Sequence, residues 1–331
     1  MSALSRSIPM AAAALALLAR PSFAAGEALD AALAKAKTVD GVKLACVAEK
    51  AAIGLGEEVV LEVALANASE TAIVVNELRL DELSVAFGTR LADIPEFEYC
   101  ELACLPGGDV LTLRKETLEP GKDLRATFRV PVTVAGKASF TARYFGFGDP
   151  EGEGFSAEPV AVEVKPDPSG ATRLSAVLET DAGTITIDLL PEAAPNTVLH
   201  FARLVRSGFY DGTVFHRIEP GFCVQGGDPR GNGTGGPDFS LRGEFNDRKH
   251  VAGTVAMART ADPDSAGSQF YFTLADQPSL DGQYTVFGRT SAGYEAVTKM
   301  AEDPKSRPVL EKATLAPRAA EKTEKKKESG S

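Results

Sequence analysis

Apolar positions follow two regimes along this chain. From Val42 to Val164 they come in short alternating runs, among them Val59–Leu65, Ala72–Leu80, Asp109–Leu113, Leu124–Val132, Ala138–Phe145 and Pro159–Val164. Turn residues separate them: Asn67-Ala68-Ser69, Pro106-Gly107-Gly108, Pro120-Gly121-Lys122 and Ala135-Gly136-Lys137. Successive side chains of a strand point to opposite faces, so alternation marks a surface with one wet and one dry side. Short strands at regular spacing with Gly/Pro turns predict an antiparallel β-sandwich over residues 41–165. Two prolines and a glycine in Pro166-Asp167-Pro168-Ser169-Gly170 cannot continue a strand, and residues 166–171 read as a linker. From residue 172 to 317 the strand pattern resumes, now with two helical stretches.

The first stretch, Asn196–Ser207, follows Pro195, a favoured first-turn residue, and stops at Gly208. Val198, Phe201, Leu204 and Val205 form its apolar stripe. The second, Tyr294–Ala301, puts Val297 and Met300 on one face and ends before Pro304. A third helical segment, the alanine-rich Gly26–Lys37, forms a lead-in within residues 25–40. Before it, residues 1–24 read as a secretory signal. Arg6 supplies positive charge, Ile8–Ala19 is apolar, and Ser22-Phe23-Ala24 sets small residues before a cut after Ala24. That run is too short for a permanent bilayer span, and no later segment is more apolar. The mature chain is therefore expected to be periplasmic or secreted, with no membrane span. Residues 318–331 are charged and lysine-rich and are expected to be disordered.

A length of 331 residues suits two domains, and 44% hydrophobic with 24% charged residues is ordinary for a globular protein. A net charge of −11 argues against a nucleic-acid partner, since phosphate binding calls for basic surfaces. Four cysteines are too few for a disulfide scaffold of this length. In an oxidising compartment one pair can close, Cys46 with either Cys100 or Cys104, while a Cys100–Cys104 bond would need a favourable turn. His200, His216 and His250 all lie in the other domain, so no metal site is expected.

Chemistry concentrates in Phe215–Asp228, a strand-like run broken by Pro220-Gly221 and ending in a glycine-rich turn. Alternation places Phe215, Arg217 and Glu219 on one face. After the break it places Cys223 and Gln225 together, with Phe222 opposite. Gly231–Gly236 lacks the Gly-Lys-Ser/Thr of a phosphate loop and reads as a turn. The segment resembles the signature of the cyclophilins, the peptidyl-prolyl cis–trans isomerases. Further stretches follow in the family's order: Met257-Ala258-Arg259-Thr260, Gly267–Phe272, Leu280-Asp281-Gly282 and Val286-Phe287-Gly288. Upstream, Thr180–Ile185 resembles the opening hairpin, and Ala194–Thr197 with Phe201 resembles the start of the first helix. The resemblance covers roughly Leu174–Leu315 and is bacterial-like in its details. Leu118-Glu119-Pro120-Gly121 resembles immunoglobulin-like modules of exported bacterial proteins.

The resemblance implies a closed eight-stranded antiparallel barrel capped by two helices, with the active groove on its outer wall. It implies isomerisation of X–Pro bonds in exported proteins during folding, without a cofactor. Arg217 would donate to the prolyl nitrogen of the twisted amide, and Gln225 would orient the guanidinium or the substrate backbone. Phe222, Cys223, Tyr271 and Leu280 would hold the proline ring. Ala258, Arg259 and Tyr284 would bind substrate beside them, and His216, Gly233 and Gln269 would line the groove. The competing readings are a module that holds proline segments with little turnover, and an envelope protein acting through the sandwich, whose partner the sequence does not identify. Several positions depart from the eukaryotic pattern. Ser279 replaces a tryptophan and Tyr284 a histidine, Arg259 and Ala266 stand where asparagines are common, and Cys223 is smaller than the usual methionine. The missing tryptophan implies weak cyclosporin binding.

Overall fold

The computed structural model describes residues 23–76, 83–90, 104–105, 115–144, 155–237 and 240–318. The chain is mainly β with few helices. In its N-terminal part the expected run Val59–Leu65 is the strand Glu58–Asn67, flanked by Val42–Ala48 and Asp123–Pro131 in an antiparallel sheet. A second sheet is built on Gly136–Tyr144, which pairs with Val160–Lys165 and Leu83–Arg90. Alternate residues of the two sheets share one buried cluster: Val59, Leu61, Val63 and Leu65 from the first, and Phe140, Ala142, Val162 and Val164 from the second. Helix α1 (Phe23–Lys35) sets Leu29 against Ala45 and Ala64 on the opposite face of the first sheet. The expected strand Asp109–Leu113 and the signal residues before Phe23 lie outside the described residues. Among the described residues, no helix is long and apolar enough to cross a membrane.

Among the described residues, the C-terminal part is built on a nine-stranded sheet, with Ser240–Leu241 paired separately to Cys104–Leu105. Its order is Thr213–Val214, Val309–Pro317, Leu174–Thr180, Gly183–Leu189, Val286–Ala292, Thr254–Met257, Phe270–Thr273, Cys223–Gly226 and Arg217–Glu219. Each neighbouring pair is antiparallel. The first and last strands of this order are separated in the chain only by Phe215 and His216, so the sheet must curl until its ends approach. This corrects the alternation read from sequence. The chain leaves one edge after Val214 and joins the other at Arg217, so Phe215 is buried while Arg217 and Glu219 are exposed. The Phe215 ring packs against Phe270 and Phe272 in the interior. Gly226 has to be a glycine there: a Cβ would come within 2.7 Å of the Phe215 ring.

Helix α2 (Pro195–Arg206) plugs the curled sheet, and it is buried over most of its surface because it serves two clusters. Its expected stripe, Val198, Phe201, Leu204 and Val205, faces the C-terminal interior. Phe201 lies 5.0 Å from Phe287 and 5.5 Å, edge-on, from Phe270. Leu199 points the other way and joins the N-terminal cluster, as does Leu174. Between the two parts, Leu174 N–H donates to Thr133 O at 2.8 Å, Ala135 N–H to Thr172 O at 2.7 Å, and the Arg206 guanidinium to Gly56 O. The prolines and glycine read as a linker form a closed turn. Asp167 accepts from the Ser169 N–H and hydroxyl at 2.8 and 2.6 Å, and its own N–H donates to Ala171 O at 2.9 Å. Helix α3 (Tyr294–Met300) buries Ala296, Val297 and Met300 against the same interior. Arg318, read as the start of the tail, is tied down by an ion pair with Asp188 at 2.7 Å.

The N-terminus of α2 has no local cap, because Ala194 at the N-cap position offers no side-chain acceptor. Glu244 supplies it from a distant loop. Its carboxylate accepts Asn196 N–H at 2.9 Å, Thr197 N–H at 2.8 Å and the Thr197 hydroxyl at 2.7 Å. Glu244→Ala strands these donors and removes the charge facing the helix dipole, a loss of about 1–3 kcal/mol. Equilibrium urea unfolding is expected to show a lower midpoint with little change in slope. An unchanged midpoint would count against the capping role.

Candidate active site

The site lies on the outer face of the strands whose inner face is the core. Register sets Cys223 opposite Thr273 and Gln225 opposite Tyr271, while Val224 pairs with Phe272 toward the interior. On the next strand Ala256 pairs with Tyr271. Cys223, Ala256, Tyr271 and Val286 accordingly form an apolar cluster separate from the core, with Phe222, Ala258, Leu280 and Tyr284 packed against it. The sequence reading put Phe222 on the face opposite Cys223. The structure brings the two together, because Phe222 belongs to the Pro220-Gly221 turn, with Gly221 at φ +75°, rather than to the strand.

Arg217 lies at the rim of this cluster, its guanidinium carbon 5.5 Å from the centre of the Phe222 ring. Nε and Nη2 donate to Glu219 Oε1 at 2.9 and 2.7 Å, and Nη1 donates to Gln225 Oε1 at 3.1 Å. Gln225 Nε2 donates to Gln269 Oε1 at 2.9 Å. Gln269 Nε2 in turn donates to the carbonyls of Gly233 and Gly235, at 3.1 and 2.9 Å. Carbonyls only accept, so the Gln269 amide must turn its nitrogen to the loop and its oxygen to Gln225. Gln225 must then turn its oxygen to Arg217. The direction of every bond follows from the loop. Arg217, Gln225, Phe222, Cys223, Tyr271, Leu280 and Gln269, scattered in sequence, thus meet on one wall.

The loop is organised by Asp228, which sequence reasoning passed over. Its side chain accepts from the N–H groups of Arg230, Asn232 and Gly233, at 2.7, 2.9 and 2.5 Å. Burial works against its charge, but the ring of N–H donors prevails and holds its pKa below the ordinary 3.8. His216 sits beside Gly233, and burial lowers its pKa against the pull of Asp228. At the other rim, the Arg259 guanidinium lies 4.6 Å from the centre of Tyr284 and donates to Gln283 O at 2.9 and 3.1 Å. Ser279 is exposed on the turn Pro278–Leu280. Glu219, the strongest partner of Arg217, received no role from sequence; the alternating Arg-x-Glu of a strand was its signal.

Cys223 is a free thiol whose burial raises its pKa to about 11. Cys46, expected to pair with Cys100 or Cys104, is instead a free thiol buried in the N-terminal cluster, and burial raises it to about 12. Cys100 lies outside the described residues, and only the backbone of Cys104 is described, where it pairs with Leu241.

Residues 175–318 match the family described as cyclophilin type peptidyl-prolyl cis-trans isomerase/CLD. A peptidyl-prolyl cis-trans isomerase of Synechococcus elongatus is 50% identical over 115 residues, 35% of this chain and 79% of the relative. Peptidyl-prolyl cis-trans isomerase B of Bacillus subtilis is 46% identical over 123 residues, 37% of this chain and 85% of the relative. A crystal structure of a Cryptosporidium parvum cyclophilin type peptidyl-prolyl cis-trans isomerase, in the presence of the dipeptide Ala-Pro, matches 44% of this chain and 99% of that chain. The identity is 27% and the TM-score 0.42.

Asp228→Asn is expected to loosen the loop without unfolding the sheet. Its readout is faster amide hydrogen exchange at Arg230, Asn232 and Gly233. Because the folded pKa is depressed, the stabilisation is complete above 3.8 and is lost as pH falls through the folded value. The wild type should therefore lose loop protection in acid and the Asn variant should not show that step. Equal exchange in both proteins at pH 6 would refute the role.

Proposed function

The chain belongs to the cyclophilin-type peptidyl-prolyl cis–trans isomerases, and we propose that Arg217 is the donor with which it isomerises X–Pro bonds. The family binds proline-containing substrates. One observation carries the assignment: a guanidinium oriented by Glu219 and Gln225 over Phe222, at the rim of the Cys223–Tyr271–Leu280 cluster. Rotation about an X–Pro bond meets a barrier of roughly 20 kcal/mol from amide resonance. No bond is broken, so the enzyme has only to favour the twisted amide over both planar forms. In the twisted state the prolyl nitrogen regains its lone pair, and a fixed donor aimed there acts on that state alone. An arginine suits this because its planar fork is always charged and can be held by two partners at once. The proline ring seats on Phe222, Cys223, Tyr271 and Leu280. Ala258, Arg259 and Tyr284 contact the residues beside it, and His216, Gly233 and Gln269 line the groove.

Four further readings belong to this proposal. The curled sheet, with consecutive chain segments at its two ends, supports a closed barrel formed by residues 172–317, and the two sheets around one cluster support an immunoglobulin-like sandwich over residues 41–165. The apolar run and small residues before Ala24 support export, which makes periplasmic or secreted proline-containing chains the clients. Ser279, where relatives of the eukaryotic kind have a tryptophan, supports weak cyclosporin binding. Ser279→Trp should strengthen it by about two decades, read by titration, since a buried aromatic contact is worth ~2–4 kcal/mol.

Arg217→Ala is expected to lower kcat/KM by about 30- to 1000-fold, the ~2–4 kcal/mol of a charge-assisted contact made only in the transition state. Peptide affinity should change little, and Arg217→Lys should restore only part of the rate. The measurement is cis–trans exchange of a proline peptide by NMR, with affinity determined in parallel. An unchanged rate in Arg217→Ala would remove this mechanism.

A further inference from the structure

The proline pocket is not wholly apolar, because Tyr271 brings a hydroxyl to it. That oxygen lies 3.1 Å from Nε2 of His250, a side chain with no exposed surface. The two rings are nearly parallel, 14° apart in plane with centres at 6.2 Å. On the far side, His250 Nδ1 lies 3.2 Å from Asp281 Oδ1, which also accepts the His250 main-chain N–H at 2.9 Å. Lys249 Nζ sits 3.0 Å from the other carboxylate oxygen. Tyr284 meets His250 edge-on at 6.5 Å.

Polarity orders this chain of contacts. The His250 main-chain N–H and Lys249 hold Asp281 ionised, with its pKa lowered to about 2. An ionised carboxylate only accepts, so the proton of a neutral His250 must sit on Nδ1. Nε2 is then an acceptor, and the Tyr271 hydroxyl donates to it. Burial favours this neutral form and lowers the His250 pKa, against the opposing pull of Asp281. Protonation would turn Nε2 into a donor and leave the tyrosyl proton without its acceptor.

His250 also grips the opposite wall of the pocket. Its carbonyl accepts the Gln277 N–H at 2.7 Å, the Leu280 N–H donates to Gln277 O at 3.0 Å, and Asp281 follows Leu280 directly. One residue therefore touches both sides of the cleft, Tyr271 through its ring and the Leu280 turn through its main chain and Asp281.

We propose that His250 is a positioning residue for the isomerase: the Tyr271–His250–Asp281 chain fixes the ring that receives proline and sets its spacing from Leu280. This rests on the assignment of the proline pocket to Phe222, Cys223, Tyr271 and Leu280. The Tyr271 ring is packed beside Cys223, Ala256 and Val286, and any freedom left in its two torsions is lost on binding substrate. Anchoring its hydroxyl in advance removes that loss, which improves substrate capture more than turnover.

The test is a double-mutant cycle in the full chain, with kcat and KM for exchange of an Ala-Pro peptide measured separately. His250→Leu is expected to raise KM about three- to tenfold with kcat little changed when Tyr271 is present. With Tyr271→Phe in the background the same change should raise KM less than about twofold, since the coupling then has no hydroxyl to act through. Equal losses in both backgrounds would overturn the proposal. A second readout does not depend on the His250→Leu protein folding. Imidazole nitrogen NMR of the wild type should show a protonated Nδ1 and a bare Nε2, and the Nε2 resonance should move in Tyr271→Phe. An Nε2-protonated ring, or a resonance indifferent to the hydroxyl, would also overturn it. A wild type that binds the peptide without speeding exchange would instead count against the isomerase assignment and leave the NMR result to decide this one.

Discussion

The two-residue period of a β-strand is the constraint on which the rest of this molecule depends. Cys223–Gly226 and Phe270–Thr273 are paired in register, and each residue step flips a side chain from one face to the other. Val224, Phe270 and Phe272 fill the interior beneath α2, while Cys223, Gln225 and Tyr271 form the wall outside. Core and site are thus two sides of the same short strands. A slip of one residue would send the glutamine inside and the phenylalanines out, losing the site and the fold together. The rigidity that positioning needs comes from the core, at no separate cost.

Little of the polar geometry at the rim is there for stability. Arg217 and Glu219 are both about half exposed, and pairs of that kind contribute well under a kcal/mol or two in water. What they contribute is direction. The Asp228 carboxylate shapes the loop, the loop presents the carbonyls of Gly233 and Gly235, and these fix Gln269, then Gln225, then the guanidinium. Each amide has one orientation that satisfies both neighbours, so the order imposed at a buried carboxylate reaches an exposed arginine. On the other side of the cleft, Asp281 plays the corresponding part for His250 and Tyr271. In both cases an ionised carboxylate, which can only accept, sets the sense of the chain.

The sequence made the local terms of this arrangement legible. Alternation located Glu58–Asn67, longer at both ends than the expected Val59–Leu65, and Asp123–Pro131, shifted one residue from the expected Leu124–Val132, and helical spacing picked out the stripe Val198, Phe201, Leu204 and Val205. Motif order brought Arg217, Phe222, Gln225, Tyr271 and Leu280 into one hypothesis before any fold was known, and they do share a wall. Non-local terms were not legible. Phe215 follows the rule of alternation only if its strand continues, and whether the chain crosses to the far edge of a sheet is decided by closure, not by neighbours in sequence. Glu244 caps a helix whose first turn is 48 residues away in the chain, beside an alanine that advertises no cap at all. Asp228 looks like any turn aspartate until its N–H donors are counted. Tyr271 was legible as a pocket residue but its tie to His250 was not, because that link runs across strands.

The position of α2 carries the same lesson to the scale of the whole chain. A helix serving one core shows one apolar stripe, and residues off that stripe face water. Leu199 lies off the stripe and is still buried, in the cluster shared with Val59, Phe128 and Phe140. Leu174, at the start of the first strand of the curled sheet, is buried there too. The backbone bonds at Thr133 and Ala135 and the Arg206 contact to Gly56 run along the same seam. A free tether would place no apolar side chain across such a seam, since each would have to be hydrated whenever the parts separated. The turn at Asp167–Ala171 is closed by its own hydrogen bonds, which shortens the connection further. The helix that fills the interior behind the candidate site is therefore gripped from the other side by the N-terminal sheets. Loss of their packing would be felt first by α2, and through Phe201 by the Phe270 and Phe287 rings beneath the candidate site.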